Sequence, residues 1–337
     1  MARIVFKPYK NSSAVTGTPG DVQINELFVN PITGALSYRN DNGDIVKSTP
    51  AWKSSENNVA FGYNALAART TATLATAIGH VALQKLTTGE RNVAIGGYSL
   101  MEVTNNQCNV AVGVEALRNN VANFNTAVGN GALRDNTLGV GNVAIGQAAL
   151  LSNSAGTITD TTTGVYSPKY GNHNIAIGQD ANAWNTAGSN NIAIGTAALR
   201  KNKYTEEQRT IAGETKNIFT YGSNNFSGGV NSLYCNKSGS RNVAIGTNAL
   251  FYNSMVSFNA KNNTVVNNVV TSHNGVAIGN WNTAVGHQSL QGNNTGTGNV
   301  AIGRRAGANN NSGNENVVIG NRSAENISTA QNNVAIG

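Results

Sequence analysis

A five-residue phrase recurs along this chain at a fixed distance, and that distance limits the fold before any side-chain chemistry is weighed. Its clearest form is Asn92-Val93-Ala94-Ile95-Gly96. Close copies end at Gly62, Gly96, Gly113, Gly129, Gly146, Gly178, Gly195, Gly246, Gly286, Gly303, Gly320 and Gly337. Neighbouring copies are repeatedly 17 residues apart (113 − 96, 146 − 129, 195 − 178, 303 − 286, 320 − 303, 337 − 320). The wider gaps of 32 (178 − 146) and 51 (246 − 195) come close to two and three periods. A fixed short period marks a solenoid, whose units gain stability by stacking on their neighbours.

Aligned, the copies read Asn-x-Ala-Ile/Val-Gly-x-x-Ala/Ser-Leu, followed by about eight polar residues. Val93 and Ile95 are two apart, so a strand sets both on one face and Ala94 on the other. The same holds for Val143 and Ile145 in Asn142-Val143-Ala144-Ile145-Gly146. β-branched residues favour a pleated surface over a helix. Gly96 and Gly146 then permit a backbone turn that a Cβ would hinder. A second short strand through Ser99 and Leu100 is expected to return across the layer. Val, Ile and Leu are expected to point inward, leaving a flat Ala face for close approach of another chain. Asn92, Asn142 and their equivalents are expected to form a ladder of amides bonded from rung to rung. From Gly62 to Gly337 there are 275 residues, about 16 periods, which stack into a rod of roughly 75 Å.

Charged residues make up only 12% of the 337, and Gly numbers 38. Apolar residues still reach 39%, so low charge does not signify disorder. The net charge of +7 raises nucleic-acid binding, but the Lys and Arg are scattered singly and form no phosphate-tracking patch. No nucleic-acid partner is expected. Cys108 and Cys235 lie far apart without a CxxC spacing and read as free thiols of a chain folded in a cytoplasm. No apolar run approaches a signal peptide or a membrane span, so neither secretion nor membrane insertion is expected.

Residues 1–50 are different. Four of the five prolines (Pro8, Pro19, Pro31, Pro50) fall there, and the 17-residue motif is absent. Arg3–Phe6, Val22–Val29, Ala35–Arg39 and Asp44–Val46 read as strands of a small β-meander separated by turn-forming clusters. Three stretches in 51–337 break the repeat: 151–173, 200–228 and 252–274. Thr163-Gly164 and Gly228-Gly229 suggest degenerate rungs within them. Gly279 and Gly286, only 7 apart (286 − 279), mark a phase slip across Asn280-Trp281-Asn282, either a kink or an out-turned loop. The interruptions and the slip gather aromatic residues, among them Tyr204, Phe219, Tyr221, Phe226, Phe258 and Trp281, with Lys and Arg between them. These six are candidate contacts to a saccharide or protein surface; the alternative is that they cap loops or fill a subunit seam.

Catalytic chemistry is not expected. His80, His173, His273 and His287 sit singly at unlike phases, giving no convergent metal set. Glu206-Glu207 and Asp160 make no glycosidase pair, because adjacent side chains on a strand point apart. Gly292–Gly298 is turn composition with no helix after it to hold a phosphate. No cofactor is implied.

The repeat resembles the head repeats of trimeric autotransporter adhesins, which are left-handed parallel β-rolls in a homotrimer. It is more similar to the repeats of bacteriophage tail and head fibres, which read Asn-Thr-Ala-Val-Gly-x-x-Ala-Leu; Asn125–Leu133 and Asn282–Leu290 match that form. Its period is longer than the adhesin one, and it lacks an autotransporter's signal peptide and anchor. Gly20, Asp21, Asn30, Thr33, Gly34, Leu36, Tyr38, Asn40 and Gly43 resemble the pattern preceding such phage shafts. The resemblance implies an all-β homotrimeric fibre made in a host bacterial cytoplasm and carried on a virion. Residues 1–50 would bind other virion proteins, and 51–337 would project as a shaft toward the host surface. A purely structural tail or capsid fibre, or a bacterial adhesin, is the alternative. The chain stops within the motif at Gly337, so a tip or chaperone domain beyond it is left open.

Overall fold

The computed structural model describes residues 57–153, 171–202, 222–253 (Ser238 excepted) and 279–337, together with the backbone of nine further strands. Among the described residues every regular element is a strand or turn. Leu27–Val29, Leu36–Arg39 and Ile45–Lys47 form an antiparallel meander in that order, with Leu27 opposite Tyr38 and Tyr38 opposite Val46. The strand expected at Arg3–Phe6 lies outside the described residues.

The repeats build one 14-stranded parallel sheet, each coil contributing one three-residue strand in register with the next. Numbered as rungs 1–14, these strands are Val59–Phe61, Thr76–Ile78, Val93–Ile95, Val110–Val112, Thr126–Val128, Val143–Ile145, Ile175–Ile177, Ile192–Ile194, Phe226–Gly228, Val243–Ile245, Thr283–Val285, Val300–Ile302, Val317–Ile319 and Val334–Ile336. The chain is a parallel β-solenoid. Its 13 steps at ~4.8 Å span about 62 Å, shorter than the periodicity suggested. The reason is concealed length. The gap of 32 between Gly146 and Gly178 holds one rung step, and the gap of 51 between Gly195 and Gly246 holds two, with Gly229 closing the rung at Phe226–Gly228.

The strand faces are the reverse of the sequence expectation. Ala94, Ala144 and their equivalents are buried, whereas Ile95 and Ile145 are 38% and 41% exposed and Val93 and Val143 are half-buried. Alternation fixes which residues share a face, but the cross-section of the coil decides which face looks inward. Leu100, Leu117, Leu133 and Leu150 enter from the opposite wall and are fully buried, so the strand side has room only for a methyl group.

The second strand expected through Ser99 and Leu100 does not form there, Gly97–Glu102 being turns. A two-residue second strand occurs on four rungs, just past the Leu slot, where Ser152–Asn153 pairs with Trp184–Asn185 and Cys235–Asn236 with Tyr252–Asn253, each pair parallel. Leu100 has φ +47°, and each fully described core Leu of this slot sits near +50°, a conformation incompatible with a strand. Two positions test the slot. Gly307 replaces Leu on rung 12, and Val318 replaces the rung-13 Ala, a Cγ2 lying 3.8 Å from where Gly307 would carry a Cβ, so one change offsets the other. Asn182 occupies the slot on rung 7. Its side chain is fully buried and neither its Oδ1 nor its Nδ2 has a hydrogen-bond partner.

The Asn ladder is present. Asn109 donates its backbone N–H (3.0 Å) and Nδ2 (3.2 Å) to Asn92 Oδ1, and Asn142 donates likewise to Asn125 Oδ1 (2.9 and 3.2 Å). A second ladder was not anticipated. It runs Asn120, Asn136, Asn153, Asn185, Asn202, Asn236, Asn253, Asn293 and Asn310, each Nδ2 bonding the Oδ1 of the rung before at 2.7–3.2 Å. Both columns are buried, so each bond also discharges the desolvation cost of an amide in the interior.

Candidate functional site

Two surfaces of the rod carry features beyond those needed to stack it. The first is the outer face of the long sheet. The side chains of Val93, Ile95, Val143, Ile145, Ile194, Ile245 and Ile302 line a continuous aliphatic strip that no described residue covers. Phe226 belongs to this strip. It opens rung 9, and its ring lies over Gly228, which stands where other rungs carry Ile or Val.

The second surface is the corner between the two Asn ladders. On an ordinary rung the chain passes from the second ladder to a glycine three residues on, as from Asn136 to Gly139, whose carbonyl accepts both Asn136 Nδ2 (2.8 Å) and Asn125 Nδ2 (2.9 Å). Rung 4 is one residue short there, going from Asn120 to Ala122. Three rungs are long there. Asn153 bonds Gly171 O (2.7 Å), Asn202 bonds Gly222 O (2.8 Å) and Asn253 bonds Gly279 O (2.9 Å), which adds 15, 17 and 23 residues over the ordinary spacing of three (171 − 153 − 3, 222 − 202 − 3, 279 − 253 − 3). Every length change between rungs 1 and 14 therefore falls at one corner, the exit corner. The glycine that ends each excursion keeps its ordinary bonds, so the solenoid resumes without a shift. Gly279 is such a glycine, which explains the phase slip: it closes the third excursion, and the rung strand begins at Thr283.

Each excursion contains antiparallel strands: Gly156–Thr159 with Tyr166–Lys169, Thr205–Ile211 with Glu214–Thr220, and Val265–Val266 with Val269–Val270. They leave from rungs 6, 8 and 10. Their roots thus form a row along one edge with a two-rung pitch of about 9.6 Å.

The row is flanked by aromatic and cationic side chains at the first and second positions after the Leu slot. Arg200 lies over Trp184 (4.9 Å) and Tyr234 (5.8 Å) and donates from Nη1 to Tyr234 Oη at 2.9 Å. Lys201 is over the same two rings at 5.9 and 5.2 Å. Tyr234 stacks on Phe251 (5.0 Å, 5°), and Tyr252 stands at 80° to Phe251. Beneath them, burial pushes the Cys235 thiol pKa up, while the nearby Lys201 and Lys237 ammonium groups act in the opposite sense. Across the corner, Arg241 lies 5.5 Å over the ring of Trp281, which is 54% exposed.

Of the residues singled out from sequence, Trp281 lies beside the row and Phe226 on the aliphatic strip. Phe219 is on a hairpin strand at the register position of Glu206. Tyr204, Tyr221 and Phe258 lie outside the described residues, as does Thr163-Gly164. Trp184, Tyr234, Phe251 and Tyr252 escaped sequence reasoning. They fall in the polar half of the repeat, and only aligning the rungs puts them in one column.

Among the described residues no group of three or more His, Cys, Asp or Glu gathers as a metal site would, and no helix is long and apolar enough to cross a membrane. Comparison with protein-family models, curated proteins and solved structures gave no match to this chain.

Proposed function

We propose that the chain is the shaft of a homotrimeric fibre on a tailed-phage virion, which holds the particle to the host surface by binding, without turnover. The observation that carries the fibre part is the uncovered aliphatic strip. Thirteen steps of ~4.8 Å by three residues of ~3.3 Å give roughly 600 Å² per chain, the same order as the ~800 Å² per partner of a stable interface. Identical rods packed strip to strip around a threefold axis would cover it, and closed symmetry would prevent open-ended growth. The phage part is carried by the resemblance of Asn125–Leu133 and Asn282–Leu290 to fibre repeats. Residues 1–50 are proposed to join the fibre to other virion proteins.

The test is the solution mass by light scattering. The expected value is three times 35.0 kDa, falling to one chain when Ile194 and Ile245 are both replaced by Asp. A wild-type chain that is folded and monomeric would remove the fibre. Labelled trimer retained on no member of a bacterial panel would remove attachment and leave a structural fibre.

A further inference from the structure

We infer that the row of hairpin roots, with the side chains on its two flanks, is a binding surface for an acidic polysaccharide laid along the rod. This rests on the reading of the chain as a surface-attachment protein and assigns that role to one edge of the shaft.

Three independent observations meet there. The excursions leave from one corner at a constant pitch, so their roots span four rungs, about 19 Å, in a straight line. One rung is close to the length of one pyranose unit, which suits a linear ligand of repeating sugars. The aromatic column is confined to the rungs the hairpins bracket. The same two positions on the other rungs hold no aromatic residue: Gln84 and Lys85, Met101 and Glu102, or Gln291 and Gly292, for example. The arginines of rungs 4 and 5, Arg118 and Arg134, are ion-paired with Glu115 and Asp135.

Charge is the third. The described residues of 171–298 contain Arg200, Lys201, Lys237 and Arg241 against Asp180 alone, a net of +3 (4 − 1). Rungs 1–6, over 57–153, hold five cations and four carboxylates, a net of +1. Lys237 lies in the exit corner of rung 9 itself, between the second and third hairpins, and Arg241 is at its far side.

The ring geometry refines the ligand class. Tyr234 and Phe251 turn their faces on each other, so they offer edges to a ligand, while Tyr252, 40% exposed and turned across the stack, has a face to offer. Such a surface recognises a few stacked sugar rings and many hydrogen-bonded or charged groups. Carboxylate or phosphate substituents on the sugar meet the cations; a neutral glycan leaves them unused.

The experiment is calorimetric titration of the full chain, at low and high salt, with three probes of matched length: oligogalacturonate, a phosphodiester-linked hexose-1-phosphate oligomer, and dextran. The expected result is binding of one or both acidic probes, weakening with salt, and little binding of dextran. Binding of the first alone identifies a carboxylate ligand, and of the second alone a phosphate ligand. Lys201→Gln with Lys237→Gln, both surface changes, should weaken acidic binding about tenfold or more. The inference is overturned if neither acidic probe binds at low salt, if dextran binds equally, or if the double variant binds as the wild type does. Loss of saccharide binding from a chain that still forms trimers and adheres to cells defeats this inference and leaves the attachment reading intact. Failure to adhere to any cell defeats attachment itself.

Discussion

Two corners of the same coil obey opposite rules. At the strand corner every rung has glycine, from Gly62 to Gly337. From Gly62 to Gly320 its φ lies between +126° and +137°, and a Cβ would fall within 2.8 Å of the next rung's backbone. At the exit corner the chain loses one residue on rung 4 and gains 15, 17 or 23 on others. The difference lies in where rung-to-rung bonds pass through the backbone. The strand corner is gripped on both sides by parallel pairing. The exit corner is held chiefly at its ends by two side-chain ladders. Between those ends only a few backbone bonds cross from rung to rung, such as Val121 N–H to Thr137 O (3.3 Å) and Asn294 N–H to Asn311 O (3.0 Å), and no strand pairing sets the register.

Moving an insertion from one corner to the other gives the largest expected effect. Five residues, Gly-Ser-Gly-Ser-Gly, placed between Thr137 and Leu138 should cost under about 1 kcal/mol, the entropy of a slightly longer loop. The same five between Gly129 and Asn130 should cost at least about 4 kcal/mol, because the strand pairing on both sides is displaced. Chemical denaturation of the two variants decides this, and equal midpoints would show that the corners do not differ.

The next test removes one of the clamps. In Asn142→Ala, the Asn174 N–H (2.9 Å) and Nδ2 (3.2 Å) lose their acceptor and Asn125 Oδ1 keeps the backbone N–H of residue 142 but loses the Nδ2 donor, all buried. A loss of about 2–3 kcal/mol is expected, with hydrogen exchange accelerating first at the hairpin root between Asn153 and Gly171. Uniform acceleration along the rod would show that the ladder does not act locally on the exit corner.

The smallest expected effect concerns the wall opposite the strand and has the other sign. Asn182 suits its φ of +48° but is buried without a partner in a column otherwise filled by Leu150 and Leu199, whose φ values are +51° and +54°. Asn182→Leu should therefore stabilise the rod by about 1–2 kcal/mol, seen as a rise in Tm. A fall in Tm would mean that the backbone preference of Asn outweighs its buried amide.

The sequence made the solenoid, the turn glycines and the first ladder legible, because each repeats at a single phase. What it hid has physical causes. The direction of Ala94 and Ile95 depended on the Leu wall, whose positive φ no spacing rule predicts. The second ladder ran through Asn residues that read as ordinary loop polarity. Excursions adding 15 and 17 residues came within two residues of the period, so whole coils seemed to be present where hairpins left the rod. At the candidate site, Trp281 stood out through its phase slip, whereas Trp184 and Tyr234 came to share Arg200 only once the 49 residues between them (234 − 184 − 1) were folded into coils and a hairpin.

The in-register stacking of near-identical units has a consequence for heredity. Misaligned recombination between two copies of the repeat removes or adds whole coils, which lengthens or shortens the rod by one interstrand spacing for each unit exchanged. Between rungs 4 and 12, where both amide columns run, they stay continuous through such an event, and every hairpin still emerges from the same edge. A shaft of this design can change its reach in a single genetic step while its projections keep facing the same way.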